Sequence, residues 1–262
     1  MAPPRRLSLV MPAFNEEAGI ADAVTEAHDS LRRLVYEFEL LVVDDGSKDR
    51  TAERVHEVAS GRPQVRLITH AKNLGYGAAL RTGFEAARFE LVAFTDADGQ
   101  FHLDDLDDLI ELTHRYPVAV GRRVDRQDPW RRRFLSWGYN VLARVLLGTG
   151  VRDVDCALKV FRRDALTDLL PDATGFFVNS EMLFRARRFG WKVAEIGVRH
   201  RPRRSGVSKV SLAEVPRTLA TLMGFWWQHV IRAKPLPVPA IAEPVLLPFP
   251  KGPTPALFRR AA

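Results

Sequence analysis

The 262-residue chain has ordinary apolar and charged fractions, 46% and 27%, which suit one large α/β domain with a full core, or one domain plus a tail. A single cysteine, Cys156, excludes an internal disulfide framework and a zinc-type cysteine cluster and fits a reducing compartment, and the start, Met-Ala-Pro-Pro-Arg-Arg, leads into no apolar core of signal-peptide length. The net charge is +7, with arginines gathered at 122–123, 131–133, 201–204 and the C-terminus, a basic field that would serve nucleic acid, an anionic membrane or a phosphate-bearing substrate.

Residues 7–11 read as a first buried strand, followed by Pro12-Ala-Phe14-Asn15-Glu16-Glu17 as a break and a helix entry. Asn15 is placed to cap that helix and the two glutamates suit its positive end; an amphipathic stretch over 18–34 carries the chain back. Residues 38–43 form a second strand ending in Asp44-Asp45-Gly46-Ser47, and Ser47 to Thr51 opens a helix reaching about Ser60. Val65–Thr69 is a third strand, and Asn73-Leu-Gly75-Tyr-Gly77 leads into another helix. Gly75 and Gly77 allow close backbone approach to a ligand, or simply form a turn. Their spacing matches neither a dinucleotide fingerprint nor a Walker loop, which disfavours a dehydrogenase or a phosphate-loop nucleotide hydrolase.

The fourth strand, 91–94, ends in Asp96-Ala97-Asp98-Gly99-Gln100. Two aspartates at i and i+2 on a strand share a face, so both can reach one hard cation, magnesium or manganese, with Gln100 and substrate phosphates completing the shell. The same pair is also common in plain turns and caps. Four strands alternating with helices predict a mostly parallel sheet with helices on both faces. Carboxylates follow the tips after Met11, Val43 and Thr95, where open α/β sheets bind ligands, and their convergence favours a metal and a polyhydroxylated or nitrogen-rich ligand.

Asp104, Asp105, Asp107 and Asp108 begin a predicted helix through Tyr116 and read as solvated helix charges rather than ligands. Residues 117–121 form a fifth strand ending in Arg122-Arg123. The amphipathic stretch 128–147 is either a core helix with a basic solvent face or a helix lying at a membrane interface. A polar turn with Asp153 and Asp155 enters a strand ending near Phe161, residues 177–181 open a helix, and 191–198 form another strand. The following loop, His200 to Lys209, has the composition of a lid over a diphosphate or of a surface loop. Residues 219–231 are apolar but short of the about 20 residues a membrane span needs. From Pro235 the chain is proline-rich and aperiodic, an extended or disordered tail, so the expected division is a catalytic domain over 1–232 and a tail over 233–262.

In this order the segments resemble a family-2 glycosyltransferase of the GT-A (Rossmann-like) fold, in particular the dolichyl- or polyprenyl-phosphate mannosyl- and glucosyltransferase branch, over about residues 7–232. The resemblance implies that Pro12, Phe14, Glu16, Val43 and Asp45 hold the nucleotide, with Ala97 packing beside it. It implies that Asp96, Asp98 and Gln100 surround Mg2+ or Mn2+, that Arg123, Arg203 and Lys209 meet the diphosphate or the acceptor phosphate, and that Arg132 with Ser136 helps the acceptor phosphate dock. Ala157 departs from a common glycine. Phe14 departs from a tyrosine, keeping a stacking platform and losing a hydroxyl.

The implied activity is metal-dependent transfer of mannose or glucose from a GDP- or UDP-linked sugar to a polyprenyl phosphate by a protein peripheral to the cytoplasmic membrane face. Asp98, Arg203 and Lys209 would stabilise the departing diphosphate. An anionic lipid phosphate needs no general base. A sugar or peptide hydroxyl acceptor would need one, with Asp153, Asp155 and Glu181 as candidates. Two further readings are a nucleotide-sugar-binding protein without catalysis and a basic nucleic-acid-binding protein. The latter is disfavoured because acids occupy the strand tips and no nucleic-acid module is present.

Overall fold

A computed structural model of the chain describes residues 5–124, 130–203, 214–233 and 235–236; the side chains of Arg132 and Lys209, and nearly all of the proline-rich tail, lie outside what is described. Among the described residues, seven strands form one sheet in the order β3-β2-β1-β4-β6-β5-β7. Strands β1 (Arg6–Ala13), β2 (Glu37–Asp44), β3 (Val65–Thr69) and β4 (Leu91–Thr95) pair in parallel, as the alternation of strands with helices predicts. In β1 and β2 every residue after the first is buried, the near-continuous apolar pattern of strands covered on both sides.

The other half of the sheet departs from simple alternation. Strand β5 (Val118–Val124) pairs in parallel with β7 (Val193–Arg199), but β6 (Leu158–Arg162), wedged between β4 and β5, is antiparallel to both. Leu158 lies opposite Thr95, so β6 starts where β4 finishes. The polar turn before β6 therefore joins the tips of β1, β2, β4 and β5 at one edge. No periodicity argument predicts this reversal.

Helix α1 (Ile20–Leu34) begins two residues later than expected, with Gly19 at its N-cap and no side-chain cap. Asn15 instead takes a left-handed φ of 49° and laces two loops together: its N–H donates to Ser47 Oγ and its Oδ1 accepts from the Lys48 N–H, each at 2.8 Å. Helix α2 (Thr51–Ala59) follows β2, and α3 (Tyr76–Ala86) packs against β1 and β2. Gly83 permits that contact, since a Cβ there would stand 2.2 Å from Val10 Cγ1.

The expected helix over 104–116 is a 3-10 turn, Leu103–Asp105, leading into a short α4 (Leu106–Leu112). Three of its four aspartates are ion-paired rather than simply solvated. Asp104 meets Arg33 at 2.7 Å, Asp105 meets Arg199 at 2.6 Å and Asp107 meets Arg5 at 2.6 Å. Helix α5 (Trp130–Leu147) falls within the expected stretch, whereas α6 (Arg163–Leu169), only seven residues long, is too brief to register as a period. Helices α7 (Val178–Arg188) and α8 (Glu214–Trp226) complete the described elements, α8 running into a π-helical turn, Trp227–Ile231. A small cluster of Leu147, Phe177, Phe184 and Leu222 joins α5, α7 and α8 beside the main core. Among the described residues no helix is long and apolar enough to cross a membrane.

Candidate active site at the carboxyl edge of the sheet

Strand β4 ends at Thr95, so Asp96 and Asp98 stand on the turn beyond it rather than on the strand, with Gly99 at φ 67° closing the turn. The Tyr76 hydroxyl donates to Asp96 Oδ1 at 2.8 Å, and the Gln100 N–H donates to Asp98 Oδ1 at 3.1 Å. Burial and the neighbouring charge of Asp98 push Asp96 up to about 7, against the opposing pull of Tyr76, Lys159 and Arg123. Two repelling carboxylates with Gln100 on one turn make an oxygen-only donor set, which fits a hard divalent cation. Among the described residues no three His, Cys, Asp or Glu side chains form a closed cage. Magnesium and manganese are hard cations of this kind and keep waters and substrate phosphates in their shells.

Behind this turn, the Gln100 amide donates to the Arg201 carbonyl at 3.3 Å and the Arg201 N–H returns to the Gln100 carbonyl at 2.9 Å. The Arg201 guanidinium reaches both oxygens of Glu26 on α1 at 2.6 Å. Two residues on, Arg203 is hydrogen-bonded to Glu16. Burial opposes its ionisation, but Glu16, then Asp98 and Asp96, more than offset that and raise its pKa. The chain after β7 thus delivers a guanidinium to Glu16, where the charges of Asp98 and Asp96 are felt.

At the tips of β1 and β2, Pro12 pairs with Val43 in register, both buried, while Phe14, Glu16 and Asn15 are half-buried. Asp45 is only 3% exposed and takes three contacts: the Leu74 N–H at 2.9 Å, the Gly75 N–H at 2.8 Å and His70 Nδ1 at 2.7 Å. It therefore anchors the loop ahead of α3. The close approach that Gly75 and Gly77 permit is to the protein itself. A Cβ on Gly75 would lie 2.4 Å from the Thr174 carbonyl and one on Gly77 2.1 Å from the Ala173 carbonyl. The Gly77 N–H donates to Thr174 O at 2.7 Å.

Arg123, at the end of β5, is bidentate on Asp153 in the turn before β6. Glu181 accepts from the N–H groups of Asp172 and Ala173 and from Arg185, at 2.7–3.1 Å. Asp153 and Glu181 are thus engaged in structural pairs, which weighs against either as a general base. Asp155 is half-buried, and its charge is felt by Tyr76, Tyr139, Arg123 and Lys159.

Sequence reasoning missed Lys159. It is 1% exposed, and its ammonium donates to the carbonyls of Val154 (3.0 Å) and Cys156 and to Asn179 Oδ1 (2.8 Å), 5.1 Å from the Phe94 ring. Burial lowers its pKa, with Cys156, Asp155 and Asp153 pulling the other way. Ser136 on α5 is half-buried and its Oγ and carbonyl accept from the Asn140 amide, whose Oδ1 in turn accepts from the Val154 N–H at 2.8 Å. Tyr76 and His70 were also missed, because their partners lie far along the chain.

The family described as glycosyl transferase family 2 matches residues 8–170. Glycosyltransferase AglD of Haloferax volcanii is 32% identical over 87% of this chain, which spans 38% of that protein's length. The dolichyl-phosphate beta-glucosyltransferase of Homo sapiens is 32% identical over 75% of this chain and 68% of its own length. Glucosyl-3-phosphoglycerate synthase from Mycobacterium tuberculosis, solved with Mn2+, UDP-glucose and phosphoglyceric acid, superposes with a TM-score of 0.65 at 27% identity, covering 84% of this chain and 80% of the other. The match covers more than half of the chain and the fold agrees, so the chain belongs to glycosyl transferase family 2.

Proposed function

We propose that this chain transfers a hexosyl group, glucose or mannose, from a nucleotide diphosphate sugar to a polyprenyl phosphate. The observation that carries this is the Asp96–Asp98 pair on the turn beyond β4, bonded to Tyr76 and the Gln100 N–H, with Arg203 held by Glu16 where it feels the aspartates' charge. The name of the human relative, a dolichyl-phosphate beta-glucosyltransferase, and the Mn2+ and UDP-glucose bound by the solved neighbour support the same reading. Asp96, Asp98 and Gln100 would hold the cation, whose bound charge supplies electrostatic stabilisation to the leaving diphosphate.

The remaining work falls to the chain's own groups. Phe14 and Glu16, half-buried at the β1 tip, would line the nucleotide, with the buried Pro12, Val43 and Asp45 shaping the backbone behind them and Ala97 beside it. Arg203, and Lys209 outside the described residues, neutralise charge as it grows on the diphosphate oxygens. Arg123, held in place by Asp153, together with Arg132 and Ser136 of α5, receives the acceptor phosphate. That phosphate is already anionic, so no side chain need remove a proton.

A lipid acceptor also accounts for α5, where Trp130, Phe134, Trp137 and Val145 are each 60–74% exposed and recur at helical spacing beside the exposed Arg133. That surface suits peripheral contact with an anionic membrane. The test is a panel of UDP- and GDP-linked sugars with polyprenyl phosphate, run with magnesium and with manganese. Labelled sugar should pass to the lipid fraction. Label appearing only on a sugar, peptide or phosphoglycerate hydroxyl would replace the lipid acceptor, and no turnover with any pair would leave a binding protein.

A further inference from the structure

Tyr76 opens α3, twenty residues before Asp96, yet its hydroxyl is 2.8 Å from Asp96 Oδ1. Three features hold it there. Its ring stacks on Phe176 with centroids 5.5 Å apart and planes 27° from parallel. The flanking Gly75 and Gly77 are pressed against the Thr174 and Ala173 carbonyls so closely that neither admits a Cβ. The 172–173 backbone is in turn pinned by Glu181, itself paired with the fully buried Arg185. A phenylalanine would fill the same space and stack equally well, so packing alone does not call for the hydroxyl.

We infer that Tyr76 is a positioning residue for the cation and the donor diphosphate: clamped between Phe176 and the 173–174 backbone, its phenol occupies one oxygen of Asp96 and fixes the carboxylate's orientation toward the other. This rests on the reading of Asp96 and Asp98 as cation ligands. Groups that orient a ligand through a hydrogen bond typically change metal affinity by about 10–100-fold when removed. The clamp also ties Asp96 to α7, so the metal turn is braced from a distant part of the chain.

The test is Tyr76→Phe, with manganese binding followed by the EPR signal of free Mn2+ in the presence of UDP. The variant should bind Mn2+ about tenfold more weakly while its thermal unfolding is unchanged, and added manganese should restore transfer. In an Asp96→Asn background the same substitution should have no further effect on Mn2+ affinity, since the hydrogen bond it removes no longer serves a charged ligand. A merely structural tyrosine would lower stability and would not be rescued by metal. Equal Mn2+ affinity in wild type and Tyr76→Phe would overturn the inference, whereas no Mn2+ binding by wild type would overturn the metal reading and the inference with it. If Tyr76→Phe does not fold, Phe176→Leu, which keeps the hydroxyl and loses the stack, should show a smaller loss of affinity, and an unchanged affinity there would equally overturn it.

Discussion

Arg123 and Asp153 form a two-pronged buried pair: Nη2 lies 2.7 Å from Oδ1, Nε lies 2.8 Å from Oδ2, and the arginine's own N–H adds a third bond to Oδ2 at 3.1 Å. The side chains are 11% and 5% exposed, so neither charge has water to fall back on. The pair welds the end of β5 to the turn before the reversed strand β6. Removing one partner of such a pair costs about 3–5 kcal/mol, a large part of the about 5–15 kcal/mol by which domains are stable. Asp153→Ala should shift the urea midpoint accordingly. A change below about 1 kcal/mol would mean that water reaches the pair.

Asp96 links the site to pH. Its folded-state pKa is raised to about 7 from an ordinary 3.8 by burial and by Asp98. Between those values the folded state holds a proton that the unfolded chain has released, so metal-free stability should fall as pH rises through this window and level off above about 7. With chelator present, Asp96→Asn should be more stable than wild type at pH 8, by on the order of 4 kcal/mol, and little different near pH 3. Equal stability of the two proteins at pH 8 would contradict the raised pKa.

Lys159 is buried with three oxygen acceptors around its ammonium. Lys159→Met keeps most of the volume and strands those acceptors, at about 1–3 kcal/mol for each one left buried and unsatisfied. The loss should appear in denaturant unfolding, together with faster amide exchange over residues 153–157. Unchanged exchange there would show that the turn is held by Arg123 and Asn140 instead.

The exposed aromatic stripe on α5 should bind lipid. Wild-type protein should sediment with vesicles containing phosphatidylglycerol, and Trp137→Glu should reduce binding about tenfold, since burying a large apolar side chain contributes ~1.5–3 kcal/mol. Both proteins should unfold at the same temperature, because Trp137 is 60% exposed. Equal sedimentation of the two would remove the stripe from the membrane contact.

The parallel half of the sheet was legible in the sequence because the signals for it are local. Apolar runs set β1, β2 and β4, and the carboxylates directly after them were bound to gather at one edge once the strands were parallel. Asp96, Asp98 and Gln100 were visible for the same reason, being packed into five consecutive residues. Local reasoning failed where a residue's partner is remote. Asn15 looks like a helix cap and is instead a cross-loop tie to Ser47 and Lys48. Lys159 carries no local sign of burial in its strand, yet both faces of β6 are covered there.

The sequence by itself determined the succession of strands along the chain, the acidic tips and the family resemblance, all properties of short contiguous segments. The tertiary structure alone decided that β6 runs backwards, bringing Asp153 to Arg123, and that Tyr76 reaches Asp96. Those pairings depend on how elements twenty to thirty residues apart pack, and side-chain type and spacing carry no record of it.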